Sequence, residues 1–526
     1  MEIIIPMSGF GERFRRAGYN LPKPLIQVDG KPLIEHIVSM FGEGNSFIFI
    51  CNQDHLDNPN FRMSEILNRI TENPKIIGIK PHKLGPVHAV LQAIDSISLT
   101  DEVVVNYCDF CCDWDFGDFC DYVRQSGADG VIPAYKGFHP HTLWSNYYAY
   151  LKIEKNNEVI AIQEKTPFTS NPQEEFASSG SYYFKTGQLM LNYFQRCIEE
   201  GLKVNGEYYV SMVYDPMIKD GLNVRVYELT HFMQWGKPED LEEYQYWSSI
   251  FQRLNETPSR ASLSGVLLMP MAGMGSRFAD QGYSLPKPLI PVSGRCMALA
   301  AIESLPEAKD IHIVCRNDMP GVDILLKLLQ TKAGVQVTSL ESATMGQAVS
   351  CMAAINNIDE NTPLTIAACD NGLIYSVEDC ERALSEENVD VVVWVARGYP
   401  GAAREPKMYG WVDLEADGKT IRSVSVKKPL NNPSTDPIVV GAFSFKKTKH
   451  FVQSAQQMFD RKATVNGEYY VDSAINEAIR LGLRCSIFEV DHYVCWGTPN
   501  DLQTYQYWEE CFANWAYHPY DTFAET

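Results

Sequence analysis

The 526-residue chain lacks any apolar run long enough to cross a bilayer as a helix, so no membrane partner is expected. It lacks a leader with a basic start and an apolar middle. Met1-Glu2-Ile3-Ile4-Ile5-Pro6 is apolar over too few residues, and the expectation is a cytoplasmic protein. It is also short of positive charge: 45 Lys and Arg stand against 66 Asp and Glu, a formal net charge of −21. A general nucleic-acid binder needs the opposite balance. A small anionic ligand is not excluded, because a few cations converging in one pocket suffice. Paired metal-binding cysteine motifs are missing too. The 14 cysteines are scattered, several in apolar segments (Cys51, Cys315, Cys351, Cys369), and read as reduced, buried thiols. Cys108-Asp109-Phe110-Cys111-Cys112 contains a close pair, but no second pair follows. Packing at the end of a strand is favoured there over zinc.

What the chain has is a repeat. Its length already calls for more than one core. Ile5-Pro6-Met7-Ser8-Gly9-Phe10-Gly11-Glu12-Arg13-Phe14 returns as Met269-Pro270-Met271-Ala272-Gly273-Met274-Gly275-Ser276-Arg277-Phe278. Gly18-Tyr19-Asn20-Leu21-Pro22-Lys23-Pro24-Leu25-Ile26 returns as Gly282-Tyr283-Ser284-Leu285-Pro286-Lys287-Pro288-Leu289-Ile290. Val204-Asn205-Gly206-Glu207-Tyr208-Tyr209-Val210 returns as Val465-Asn466-Gly467-Glu468-Tyr469-Tyr470-Val471. A unit this long is a duplicated domain rather than a solenoid repeat. The expected division is a first domain over 1–254, a polar linker over 255–264, a second domain over 265–516 and a tail over 517–526.

Each copy alternates short apolar runs with amphipathic stretches. Glu2 to Met7, Ser46 to Cys51 and Glu102 to Tyr107 read as strands, and Pro32 to Phe41 as a helix. The alternation predicts an α/β fold with a mostly parallel sheet, in which ligands bind beyond the carboxyl ends of the strands. The Gly9-Phe10-Gly11 loop and Asp109 both fall there.

The glycine loop is neither of two well-known phosphate motifs. No third glycine completes a dinucleotide fingerprint, and no Gly-Lys-Ser/Thr ends the loop. Glycines directly after a strand still let backbone N–H groups approach a polyphosphate, and Arg13 adds a permanent forked cation. Pro22 and Pro24 stiffen the chain on either side of Lys23, a framing that a solvated surface lysine does not need. Asp109 and Asp370, each ending a strand, are placed to hold Mg²⁺ beside a polyphosphate; the alternative is an Asp capping the next turn. Lys165 in Glu164-Lys165-Thr166-Pro167 is paired with Lys428 in Lys427-Lys428-Pro429. Glu207 and Glu468 are candidates to accept hydrogen bonds from substrate hydroxyls, or first-turn helix carboxylates.

These motifs resemble the sugar-phosphate nucleotidyltransferases, the nucleoside-diphosphate-sugar pyrophosphorylases, and within them a subgroup of capsule and surface-polysaccharide pathways. The resemblance covers nearly the whole chain, twice. It implies two tandem GT-A/Rossmann-like domains with mixed, mostly parallel central sheets. Arg13, Lys23, Arg277 and Lys287 are implied as catalytic cations on the phosphates, and Asp109 and Asp370 as Mg²⁺ ligands. Met7, Ser8, Gly9, Gly11 and Gly85, with Met271, Ala272, Gly273, Gly275 and Gly346, are implied to bind the nucleotide. Lys165, Gly180 and Glu207, with Lys428, Gly441 and Glu468, are implied to bind the acceptor.

The implied partners are a nucleoside triphosphate and a small phosphorylated acceptor, and a homo-oligomer is compatible with the pattern. The chain departs from the family at the late Gly-Thr-Pro motif. Gln234 and Cys495 stand where many relatives carry a second metal-binding Asp. Three rival readings stay open. The acceptor is a non-sugar phosphate used with CTP; or one copy, rather the second, only binds ligand; or Asp113-Trp114-Asp115 is the metal motif of a GT-A glycosyltransferase.

Overall fold

A computed structural model describes residues 1–254, 259–332 and 334–515. They form two compact units: Met1–Ser249 with the described residues from Glu510 on, and Ile250–Glu509. The boundaries fall inside the helices Pro238–Leu254 and Pro499–Asn514. A continuous helix leaves no run of Pro, Gly or polar residues to mark the place, and the sequence puts the joint later. Of the expected linker, 255–258 lie outside the described residues, and the strand Ser262–Pro270 has already begun within it. The expected tail, 517–526, also lies outside them. No helix among the described residues is long and apolar enough to cross a membrane.

The first unit is built on Glu2–Met7. This strand lies between Ser46–Asn52 and Val103–Asn106, parallel to both, and Lys75–Ile79 extends the parallel set. Ile3-Ile4-Ile5 and Val103-Val104-Val105 are buried throughout, as expected of β-branched runs covered on both faces. Beyond Val103–Asn106 the sheet turns antiparallel through Ser181–Phe184, Gly130–Tyr135, Phe176–Ser178, Ala149–Ile153 and Val159–Glu164. The helices Pro86–Leu91 and Gly187–Glu199 share one apolar cluster with this sheet through Val87, Val90, Met190 and Phe194.

The second unit repeats the plan. Ser262–Pro270 lies parallel to Glu307–Arg316 and to Leu364–Ala367. Ile438–Phe445 then runs antiparallel beside Leu364–Ala367 and Val391–Ala396, and Gly410–Leu414 pairs with Ile421–Val426. In each unit the parallel half delivers the glycine loop and the strand-end Asp. The antiparallel half delivers the lysine that follows its outer hairpin.

Candidate active site

In the first unit the chain leaves Met7 and turns at Gly11, whose φ of 61° lies in the left-handed region that suits glycine. Gly11 starts the short helix Glu12–Arg16. Pro22 and Pro24 hold a single turn, Lys23–Leu25, and Lys23 points back under the loop. Its Nζ donates to Asp109 Oδ2 at 3.0 Å and sits 5.5 Å from the centre of the Phe14 ring. A cavity of about 610 Å³ opens here. Met7, Ser8, Gly9, Gly11, Arg13, Lys23, Gly85, Asp109 and Glu207 all line it, whereas Lys165 and Gly180 do not. Arg13 is exposed and has no carboxylate partner among the described residues.

Gly85 closes the far wall. Its φ of 90° and ψ of 175° are open essentially only to glycine. A Cβ there would lie 2.7 Å from both the backbone N and O of Tyr208. This closeness lets Tyr208 N–H donate to Leu84 O at 2.9 Å and Val87 N–H to Tyr208 O at 3.2 Å. Asn205 and Gly206 form the two-residue turn of a tight hairpin with positive φ at both, and it places Glu207 at the cavity. The carboxylate is therefore set by the hairpin and not by a helix's first turn.

The second unit repeats this arrangement. Gly275 has φ 63° and starts Ser276–Asp280, which carries Arg277. Met271 and Ala272 are buried, and Gly273 is exposed in the loop. Lys287 pairs closely with Asp370 and also donates to Gly497 O at 2.9 Å. Burial works against the Lys287 charge, but Asp370 outweighs it and holds the ammonium above the usual lysine range. Gly346, at φ 113°, meets the Tyr469 backbone as Gly85 meets Tyr208. Asn466-Gly467 presents Glu468 as Asn205-Gly206 presents Glu207.

Residues 3–220 match the family described as nucleotidyl transferase, and residues 267–446 match the MobA-like NTP transferase domain. The chain belongs to the nucleotidyltransferases. It is 26% identical over 185 residues to the bifunctional protein GlmU of Methanocaldococcus jannaschii, a match spanning 35% of this chain and 40% of that protein. Less than half of that relative is thus covered. It is 24% identical over 292 residues to the mannose-1-phosphate guanyltransferase of Schizosaccharomyces pombe, 52% of this chain and 73% of that one. Among solved structures, the nucleoside-diphosphate-sugar pyrophosphorylase of Vibrio cholerae RC9 superposes with a TM-score of 0.37 at 17% identity, covering 45% of this chain and 98% of that one.

On the antiparallel side of this nucleotidyltransferase, one expected pairing is corrected. Lys165 has φ 61°, and its N–H donates to Tyr148 O at 2.8 Å. Its Nζ donates to Tyr209 OH at 2.6 Å and lies over the Tyr209 ring. The residue in that place in the second copy is Lys427, not Lys428. Lys427 has φ 56°, its N–H donates to Tyr409 O at 2.9 Å, and its Nζ lies 5.2 Å from the centre of the Tyr470 ring. Lys428 is exposed, and its carbonyl accepts from Ser425 Oγ. The sequence signal was present: each lysine stands two residues before a proline, Pro167 and Pro429. Gly180 and Gly441 accept from Tyr107 N–H and Ala368 N–H, both at 3.0 Å, on the edge facing the strand-end turn.

Several contributors were not foreseen. Tyr209 and Tyr470 each donate to the Glu two residues before them. Lys83 pairs with Glu12 at 2.6 Å and lies over Phe10, tying the glycine loop to the Gly85 segment. The second copy has Thr344, Ser276 and Met274 there. It ties its loop through the buried Arg316, which reaches Ala272 O at 3.5 Å and also Met274. The Lys83 and Arg316 ties join segments far apart in sequence, so local patterning gives no hint of them.

The residues at the strand ends suit a divalent cation unequally. A Cβ on Gly236 would lie 3.4 Å from Asp109 Oδ2 and 3.1 Å from the Gln234 amide, so these side chains converge. The nearer Gln234 atom is Nε2; turned over, the amide would present its oxygen, and with the carboxylate and the nucleotide's own phosphate oxygens it would make an all-oxygen set of the kind Mg²⁺ takes. In the second copy Asp370 converges with Cys495, whose thiol burial pushes well above its usual range. A neutral thiol is a poor Mg²⁺ ligand, which leaves Asp370 as the hard donor. No group of three or more His, Cys, Asp or Glu gathers around a common point among the described residues.

Asp113-Trp114-Asp115 is used structurally. Asp115 caps the helix Phe116–Ser126 by accepting from Asp118 N–H at 3.1 Å. Trp114 Nε1 donates to Met40 O, and its ring packs on Phe41 and Phe119. Cys111 and Cys112 are buried, and burial raises both thiols. Asp115→Ala is expected to lower stability by about 1 kcal/mol, the worth of a lost cap, and to leave turnover at wild-type rate. Thermal melts and steady-state rates check this. A collapse of turnover at wild-type stability would restore the Asp-x-Asp reading.

Proposed function

We propose that each copy transfers a nucleoside monophosphate from a nucleoside triphosphate to a small phosphorylated acceptor and releases pyrophosphate. The observation that carries this reading is the twice-built cation–carboxylate pair, Lys23–Asp109 and Lys287–Asp370, beside an unpaired Arg at a glycine loop. An acceptor phosphate oxygen attacks the α-phosphorus, a new P–O bond forms, and the bond to the pyrophosphate oxygen breaks in line. The acceptor phosphate is already an anion, so no general base is needed. The work is positioning and charge neutralisation. Lys23 and Arg13 supply positive charge to the phosphates, and loop N–H groups donate to them. Asp109, with Gln234, and Asp370 would hold Mg²⁺, which when bound neutralises phosphate charge. Lys165 and Lys427 hold the acceptor phosphate, and Glu207 and Glu468 accept from its hydroxyls.

A sugar 1-phosphate is the acceptor we favour, in keeping with the name of the mannose-1-phosphate guanyltransferase relative. The resemblance of the opening signature supports a role in surface-polysaccharide precursor supply. The test is a screen of ATP, CTP, GTP and UTP against glucose 1-phosphate, mannose 1-phosphate and glycerol 3-phosphate with the full chain. Pyrophosphate release that depends on the acceptor is the expected result. Turnover of glycerol 3-phosphate alone, with CTP, would move the acceptor to the non-sugar class. No pyrophosphate from any pair, with nucleoside diphosphate released from nucleotide sugars, would overturn the reaction.

A further inference from the structure

The outer hairpins of the two copies differ by a compensated exchange. The strand pairs set Ala149 opposite Glu164 in the first copy and Gly410 opposite Val426 in the second. Directly after Glu164 and Val426 come the equivalent lysines, Lys165 and Lys427. The carboxylate beside the lysine is therefore lost from the strand end of the second copy. It returns on the facing element. Ser211 Oγ donates to Glu164 Oε2 at 2.6 Å, so those two positions face each other in the first copy. The residue aligned with Ser211 is Asp472, which follows Val471 at the start of the helix Val471–Arg480.

Gly410 makes room for it. A Cβ at that position would lie 2.2 Å from Asp472 Oδ2, closer than any Cβ contact allows. Ala149 carries that Cβ in the first copy. Three positions have thus changed together, with one carboxylate kept and its direction of entry altered.

We infer that Asp472 is a second acceptor-reading carboxylate of the second copy beside Glu468, supplied by the helix where the first copy has Glu164 at the strand end, and that the two copies take acceptors with different hydroxyls near the phosphate. This rests on the nucleotidyl-transfer reading above. Asp472 is partly buried against the Gly410 position, and no side chain among the described residues donates a hydrogen bond to it. Burial pushes its carboxyl up to about 6, against the pull of its own backbone N–H and of the Lys427 charge. Glu164 is likewise raised by burial and lowered by Ser211 and Lys165. A second change widens the contrast. Tyr107, whose ring lines the first cavity, is matched by Ala368, as the equivalent bonds to Gly180 O and Gly441 O show. The second copy therefore lacks a phenol and has moved a carboxylate.

The test uses two full-length chains, Lys287→Ala to leave the first copy active and Lys23→Ala to leave the second. Each is assayed with glucose, mannose, galactose and N-acetylglucosamine 1-phosphates and glycerol 3-phosphate, with each of the four common triphosphates. The two chains are expected to rank the acceptors differently. Adding Asp472→Asn to the K23A chain should raise KM for its best acceptor by about ten-fold or more, as expected for a charged hydrogen bond, with KM for the triphosphate unchanged. Adding G410A, V426E and D472S together should move its ranking toward that of the K287A chain. An active K23A chain whose ranking matches the first copy, or ignores these changes, overturns the inference alone. A K23A chain silent with every pair, while K287A turns over, overturns activity in the second copy and this assignment with it.

Discussion

Lys23→Ala is expected to slow the first copy by about 10²–10³-fold, the scale of removing one preorganised charge-stabilising donor, and Lys287→Ala to do the same to the second. The argument starts from how the lysine is held. Pro22 and Pro24 restrict the backbone on both sides, and the Lys23 side chain is only 15% exposed. Its ammonium is thus in place before any nucleotide arrives. Its partner, Asp109, is 36% exposed and faces the same cavity. Without the lysine, the incoming polyphosphate meets that carboxylate with its nearest cation gone, so attraction turns into repulsion at the point where negative charge must gather. The loss should appear in kcat as well as KM, because charge moves onto the leaving pyrophosphate in the transition state. Pyrophosphate release from the two single variants and the double variant K23A/K287A checks this. Wild-type rates in the double variant would remove both lysines from the chemistry.

How much of this was legible from the sequence divides along the sheet. The parallel half was. Glu2–Met7 and Ser46–Asn52 announce themselves as apolar runs rich in Ile and, in the second, Phe, buried over most of their length, and the residues after Glu2–Met7 are local to the motif. Lys23 and Asp109 could be named separately because each sits in its own punctuated segment, though 86 residues separate them. The antiparallel half was harder. Lys427 and Lys428 are adjacent, and only the positive φ after the strand end decides which one turns inward. Asp472 was hidden because its meaning depends on Gly410 and Val426, neither of which carries chemistry. The unit boundaries were hidden for a different reason, since they fall where helix propensity is unbroken.

Gly85→Ala and Gly346→Ala are expected to cost about 2–5 kcal/mol of stability in their own units, from a glycine-only backbone conformation plus a forced overlap. The added methyl would sit 2.7 Å from the Tyr208 backbone in one copy and 2.6 Å from that of Tyr469 in the other. Backbone cannot swing aside as a side chain can, so the two segments must part. Parting them breaks the Leu84–Tyr208 and Val87–Tyr208 hydrogen bonds, or their Met345–Tyr469 and Ala348–Tyr469 counterparts. Those bonds register the Gly85 wall against the hairpin that presents Glu207, so the fault reaches both ends of the cavity. KM for triphosphate and acceptor should rise together, about ten-fold or more, with a thermal midpoint lower by roughly 4 °C or more. Gly201→Ala separates the causes: Gly201 has φ 66° but nothing within 4 Å of the added Cβ, so it carries backbone strain without overlap. It should lower stability by only about 1 kcal/mol and leave both KM values unchanged. If Gly85→Ala behaves as Gly201→Ala does, the close approach to Tyr208 is not what holds the cavity together.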